Sequence, residues 1–120
     1  MEKLTKQEEE VMMLFWQLGK SCYIRDVMDI YPEPKPPYTS VASTVKNLQR
    51  KGYLDSKAKG VSYLYNVKIT QDKYKSRFMQ GWVKDYFHDS YRQMVSFFAK
   101  EQAISADDLR EILKEIEKGR

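Results

Sequence analysis

Residues 36–68, PPYTSVASTVKNLQRKGYLDSKAKGVSYLYNVK, constrain the fold more than any other stretch of this chain. Pro36 and Pro37 open a helix over about 37–52, because proline suits a helix start and is excluded from its interior. Val41, Val45 and Leu48 share one face, at helical spacing. The opposite stripe carries Thr39, Ser40, Ser43, Thr44, Lys46, Asn47 and Arg50. Gly52 stops the helix, and two β-prone runs follow, 53–56 and 61–67, with Lys57-Ala58-Lys59-Gly60 between them. A helix followed by a hairpin with a basic tip predicts a winged helix-turn-helix. Hydroxyls, an amide and cations on the outer helical face suit the floor and walls of a DNA major groove.

The preceding residues supply the rest of such a domain. Thr5 and Glu8 have the spacing of a capping box, and Val11, Leu14, Phe15 and Leu18 follow on one helical face, ended by Gly19. Ser21 is the expected N-cap of a second helix, with Ile24, Val27, Met28 and Tyr31 inward and Cys22 packed inside it. Pro32, Pro34, Pro36 and Pro37 make 32–37 a stiff connector. These elements place a winged-helix DNA-binding domain at 1–68.

From Thr70 the pattern is helical only, and 69–120 reads as a dimerisation extension. Tyr74, Phe78, Trp82 and Phe87 form one stripe, and Tyr91, Met94, Val95 and Phe98 form another. Ser105 and Asp108 cap a last helix with Leu109, Ile112, Leu113 and Ile116 on one face. So many large apolar groups exceed what a short tail buries by itself, and a symmetric homodimer covers them economically. The expected interface is Phe78, Trp82, Tyr91, Met94, Val95, Phe98, Leu109, Ile112, Leu113 and Ile116.

Charge is distributed unevenly. The chain is +4 overall, yet 35–68 holds Lys35, Lys46, Arg50, Lys51, Lys57, Lys59 and Lys68 against Asp55 alone. A local positive field of this kind attracts a polyanion. The expected DNA contacts are Tyr38, Thr39, Ser40, Ser43 and Asn47 at the helix, with Ser40, Ser43 and Asn47 on base edges. Lys46, Arg50 and Lys51 would hold phosphates, and Lys57 and Lys59 would reach the flanking backbone from a wing at about 57–63.

Little in the chain supports catalysis. His88 stands alone apart from Asp85 and Asp89, Cys22 has no partner thiol, and the five glycines are isolated. The expectation is no enzyme, no metal and no cofactor. No apolar run approaches a membrane span and no leader is visible, so a cytoplasmic protein without membrane insertion is expected. The alternative function for the same fold is a winged-helix protein–protein interaction module without sequence-specific DNA binding.

The order of features resembles the bacterial penicillinase-repressor group, with its BlaI, MecI and copper-responsive CopY branches. Leu4-Thr5, Glu8, Val11-Met12 and Trp16 follow its opening pattern. Ser40-Val41, Ser43, Leu48, Lys51-Gly52, Leu54, Gly60, Tyr63 and Tyr65 follow its recognition helix and wing, and Phe98-Ala99-Lys100 follows its tail. The resemblance implies a dimeric repressor on a pseudo-palindromic operator, released when a membrane sensor protease signals and the tail is cut. The chain departs from the pattern at three places. Ala42 and Asn47 stand where the group has basic contacts, Phe97-Phe98 stands at the cleaved bond, and the paired Cys-x-Cys motifs of copper sensing are missing.

Overall fold

The computed structural model describes residues 3–119. Among these residues it contains six helices and one two-stranded antiparallel sheet. The order is α1 (Lys6–Leu18), α2 (Ile24–Ile30), α3 (Tyr38–Arg50), β1 (Leu54–Lys59), β2 (Ser62–Val67), α4 (Gln71–Phe87), α5 (Tyr91–Lys100) and α6 (Ala106–Lys118). The architecture is a winged-helix domain followed by C-terminal helices. Two compact units are present, the first running to Tyr74 and the second starting at Lys75.

In the first unit, α1 starts with the expected capping box. The Glu8 amide donates to Thr5 Oγ1 at 3.2 Å, and the Thr5 amide donates to Glu8 Oε1 at 2.9 Å. Gly19 ends the helix at φ +69°, a conformation that favours glycine, and its amide reaches the Phe15 carbonyl. Val11, Met12 and Phe15 are fully buried against Val27, Val41, Val45 and Leu48. Burying each such side chain stabilises by about 1.5–3 kcal/mol.

The start of α2 differs from expectation. Its N-cap is Tyr23 rather than Ser21, and the Asp26 carboxylate closes the turn by accepting the Tyr23 amide at 2.8 Å. Ser21 instead donates its hydroxyl to Asn66 of β2. Cys22 lies outside any helix. It forms an isolated antiparallel bridge to Tyr65, with N–O distances of 3.0 and 2.9 Å in the two directions. This stub of a third strand satisfies backbone groups that a buried segment could not leave unpaired, and it ties the wing to the segment that leads into α2.

The hairpin pairs Leu54 with Val67 through to Lys59 with Ser62. The turn is therefore only Gly60 and Val61, with Gly60 at φ +64°. Lys57 and Lys59 sit on the outer end of β1, not in the turn, because pairing continues to the last residue before Gly60. The first unit also reaches beyond the expected end at Lys68. Trp16 Nε1 donates to the Ile69 carbonyl at 2.9 Å, its ring lies 5.4 Å from that of Tyr74, and Tyr74 donates its hydroxyl to Glu9.

In the second unit, Ser90 caps α5 and the Ser105–Asp108 capping box opens α6. Trp82 stacks on Phe98 at 6.0 Å and 13°, and meets Phe87 edge-on at 5.2 Å. Phe97 packs against both Phe87 and Phe98. Val83 is the buried residue of α4, while Phe78, Tyr86, Tyr91, Phe97, Ile112, Leu113 and Ile116 are each between 44% and 69% exposed.

Candidate nucleic-acid interface

Helix α3 buries Val41, Thr44, Val45 and Leu48 and turns its other face outward. That outward face carries Tyr38, Thr39, Ser43, Lys46, Asn47 and Arg50, all exposed, with Ser40 half-buried at the stripe's edge. Positions 39, 43, 46, 47 and 50 fall at successive helical repeats, so they make one continuous ridge. Thr44, read from the sequence as part of this ridge, belongs to the core side. Its hydroxyl donates to the Ser40 carbonyl at 2.9 Å, which satisfies it without water.

Lys51 is the second departure. It was expected to hold a phosphate, but its ammonium is bound internally. Nζ lies 2.6 Å from Glu8 Oε1 and donates to the Lys3 carbonyl at 3.0 Å, and the two paired side chains are only 9% and 6% exposed. The bridge joins the C-terminus of α3 to the first turn of α1. Burial alone would raise the Glu8 carboxyl pKa. The Lys51 hydrogen bond, the Thr5 amide and the Lys51 charge outweigh that and hold it below the usual range. Lys51 therefore stays out of the outer ridge and positions it instead.

All three acidic residues in the first turns of α1 have partners in the fold. Besides Glu8, Glu10 accepts the Tyr31 hydroxyl at 3.3 Å, and Glu9 accepts that of Tyr74. Negative charge in the first turns of a helix is favourable to its dipole on its own, and the fold adds these specific partners. An acidic triplet beside buried aromatics was the available signal that hydroxyls and a cation return to this helix end.

The wing presents Lys57 and Lys59 as exposed side chains on the strand that follows α3. Lys68 lies farther back, 3.5 Å from Asp55. Gln49, which the sequence reading passed over, donates to the Ser56 hydroxyl at 3.1 Å and connects the end of α3 to the base of β1. Between α3, the start of α2 and the wing lies a cleft of about 160 Å³, lined chiefly by Tyr23, Arg25, Tyr38, Ser62, Tyr63 and Tyr65. Burial raises the Tyr65 hydroxyl pKa, and Tyr38 and Tyr63 raise it further, so the three phenols converge there. Nothing in the sequence spacing pointed to this cleft, because its walls come from three separate elements.

In the second unit, the expected interface divides into two groups. Phe78, Tyr91, Ile112, Leu113 and Ile116 are exposed, whereas Trp82, Met94, Val95, Phe98 and Leu109 are half-buried. Trp82 and Phe98 face each other within the chain. The Phe97–Phe98 bond lies inside α5, where the backbone is helical. Among the described residues no cluster of three or more His, Cys, Asp or Glu side chains has metal-holding geometry. No helix among them is long and apolar enough to cross a membrane.

Comparison with known proteins gives one clear result. A family model described as penicillinase repressor matches residues 4–118, nearly the whole chain. The search of curated proteins returns no match.

Proposed function

Because the chain belongs to the penicillinase-repressor family, whose members are DNA-binding transcriptional repressors rather than enzymes, we propose that it works as a homodimer on a pseudo-palindromic operator. The single observation that carries this reading is the exposed ridge of α3, flanked by the basic outer strand of the wing. In the proposed complex α3 lies in the major groove. Ser40, Ser43 and Asn47 read base edges there, with Tyr38 and Thr39 at the groove's entry. Asn47 suits bidentate pairing with adenine. Lys46 and Arg50 hold phosphates along the groove, and Lys57 and Lys59 hold the flanking backbone.

The exposed apolar side chains of the second unit support dimerisation through it. Phe78, Tyr91, Ile112, Leu113 and Ile116 are each 44–54% exposed, and α6 has apolar residues on one face only. A second copy covering them joins two half-sites, and linked half-sites gain affinity through effective concentration. The proposed setting is the cytoplasm. Release by a membrane sensor protease at Phe97–Phe98 would require α5 to unwind, because proteases engage extended backbone.

The test is fluorescence-anisotropy titration of the full chain against a duplex selected from random sequence, with unselected duplex as control, across a salt series. Asn47→Ala should lose roughly 1–3 kcal/mol on the selected duplex and little on the control. Equal loss on both refutes its base-reading role. A wild type that shows no preference for any selected duplex refutes the repressor reading and favours the interaction-module alternative. Sedimentation that shows a monomer at micromolar concentration refutes dimerisation.

A further inference from the structure

We propose that the tyrosine-lined cleft beside α3 is a seat for one sugar–phosphate unit of the DNA strand that passes between the recognition helix and the wing, with Arg25 and Tyr63 as its polar contacts. This inference rests on the DNA-binding reading; it adds Arg25 of α2, which no motif assigned, and gives Tyr63 of the wing a specific contact.

Four observations carry it. The first is position: the cleft opens between the first turn of α3 and the wing, and those two elements flank a backbone strand when a helix enters the major groove. The second is chemistry. Arg25 supplies a guanidinium 4.9 Å from the centre of the Tyr23 ring, Tyr38 and Tyr63 supply hydroxyls, and none of the lining residues is acidic. Asp26, the nearest acid in sequence, is occupied by the Tyr23 amide. Arginine and tyrosine are both regular phosphate donors, and tyrosine faces accept the apolar edge of a deoxyribose.

The third observation is size. A volume of about 160 Å³ is close to the roughly 150 Å³ of an engineered cavity that admits one benzene ring, so the cleft has room for a phosphate group, with the attached sugar at its open mouth, and excludes a base pair. The fourth is rigidity. The Cys22–Tyr65 bridge fixes the wing to the lead-in of α2, and Tyr65, only 6% exposed, forms the floor. The backbone of the seat and its floor are thus set before DNA arrives, and the ordering cost of binding falls on the exposed Arg25 and Tyr63 side chains.

The experiment uses the full chain and the selected duplex, with single phosphates replaced in turn by neutral methylphosphonates. Arg25→Gln should weaken selected and random duplex alike, by about tenfold, and lower the slope of log K against log salt by about 0.9. Tyr63→Phe should weaken binding by about threefold with an unchanged slope, since it removes a donor and no charge. Arg25 is exposed and Tyr63 is 57% exposed, so neither change should move the melting temperature by more than a few degrees. One methylphosphonate position per half-site should cost the wild type most of what Arg25→Gln costs, and cost Arg25→Gln almost nothing further. Binding of both variants equal to wild type, while Lys46→Gln lowers the slope, overturns the seat and leaves the repressor reading standing. A loss in Arg25→Gln that is additive with every methylphosphonate also overturns it. Absence of DNA binding by the wild type overturns both.

Discussion

Replacing Lys51 by Met separates the two roles that a cation at the end of α3 can have. In the wild type Nζ lies 2.6 Å from a Glu8 carboxylate oxygen, with both side chains nearly out of solvent. At an effective dielectric near 20 the gross attraction over that distance is about 6 kcal/mol. Desolvating the two ions takes back several kcal/mol each, so the net value of the intact pair is small. Removing one partner is different, because the other charge stays behind. A fully buried pair broken in this way costs about 3–5 kcal/mol. Glu8 retains the Thr5 amide at 2.9 Å, and methionine preserves the apolar stem of the lysine, which brings the expected cost to about 2–3 kcal/mol. For a chain of this length that lowers the melting temperature by roughly 8–12 °C.

The same variant should leave the electrostatics of DNA binding intact. Measured well below its melting temperature, Lys51→Met should show a salt slope equal to wild type. Lys46→Gln should show the reverse, a slope lower by about 0.9 with an unmoved melting temperature. Thermal unfolding and anisotropy salt series on the two variants decide the matter. A reduced slope in Lys51→Met together with wild-type stability would refute the internal role and return Lys51 to the phosphate contacts.

The Glu8 carboxyl is held below its ordinary value of 4.5, so its contribution is complete above that pH and fades as pH falls through the lower folded value. The stability difference between wild type and Glu8→Gln should accordingly be flat near neutrality and shrink below about pH 4.5, as followed by urea unfolding; a difference that grows in acid contradicts the assignment. Burial, and then Asp26, push the Cys22 thiol up to about 11 despite Lys20, so at pH 8 the native protein should react with a disulfide reagent orders of magnitude more slowly than the urea-unfolded chain. Equal rates would mean that the Cys22–Tyr65 bridge is open. A chain ending after Tyr74 should be more stable than one ending at Lys68 by about 2 kcal/mol, from the Trp16–Ile69 hydrogen bond and the Trp16–Tyr74 ring contact; coincident urea midpoints would refute the extended boundary.

What the sequence makes legible here is whatever a helix or hairpin decides within a few residues of itself. The Thr5–Glu8 box, the Gly19 stop, the buried stripe of α3 and the capped start of α6 all follow from spacings of three or four, and each is present. Ser21 misleads because the same local rule has two solutions. A hydroxyl before an apolar run is a good N-cap, yet Asp26 closes the turn at Tyr23 and releases Ser21 to Asn66, 45 residues away. Cys22 follows from the same shift, since a helix that begins after Tyr23 leaves its backbone free to pair with β2.

Charge is harder to read than shape, because an ion's partner depends on tertiary distance alone. Lys46 and Lys51 look alike in sequence, and both sit near the end of a cationic helix. Five positions rotate Lys51 by well over a full turn, to the side where α1 presents Glu8 across a separation of 43 residues. The cationic cluster was therefore legible as a cluster and not member by member. The cleft adds the complementary case: Arg25 lay outside the basic segment, and only the β-bridge that folds the wing back onto the start of α2 gives it a place beside α3. In the proposed complex the DNA-facing surface is thus drawn from residues that net charge selects and residues that topology selects. Exchanging Lys51 for Arg25 between those two sets would leave the number of cations facing DNA unchanged while moving one of them from the end of the recognition helix to the cleft between that helix and the wing.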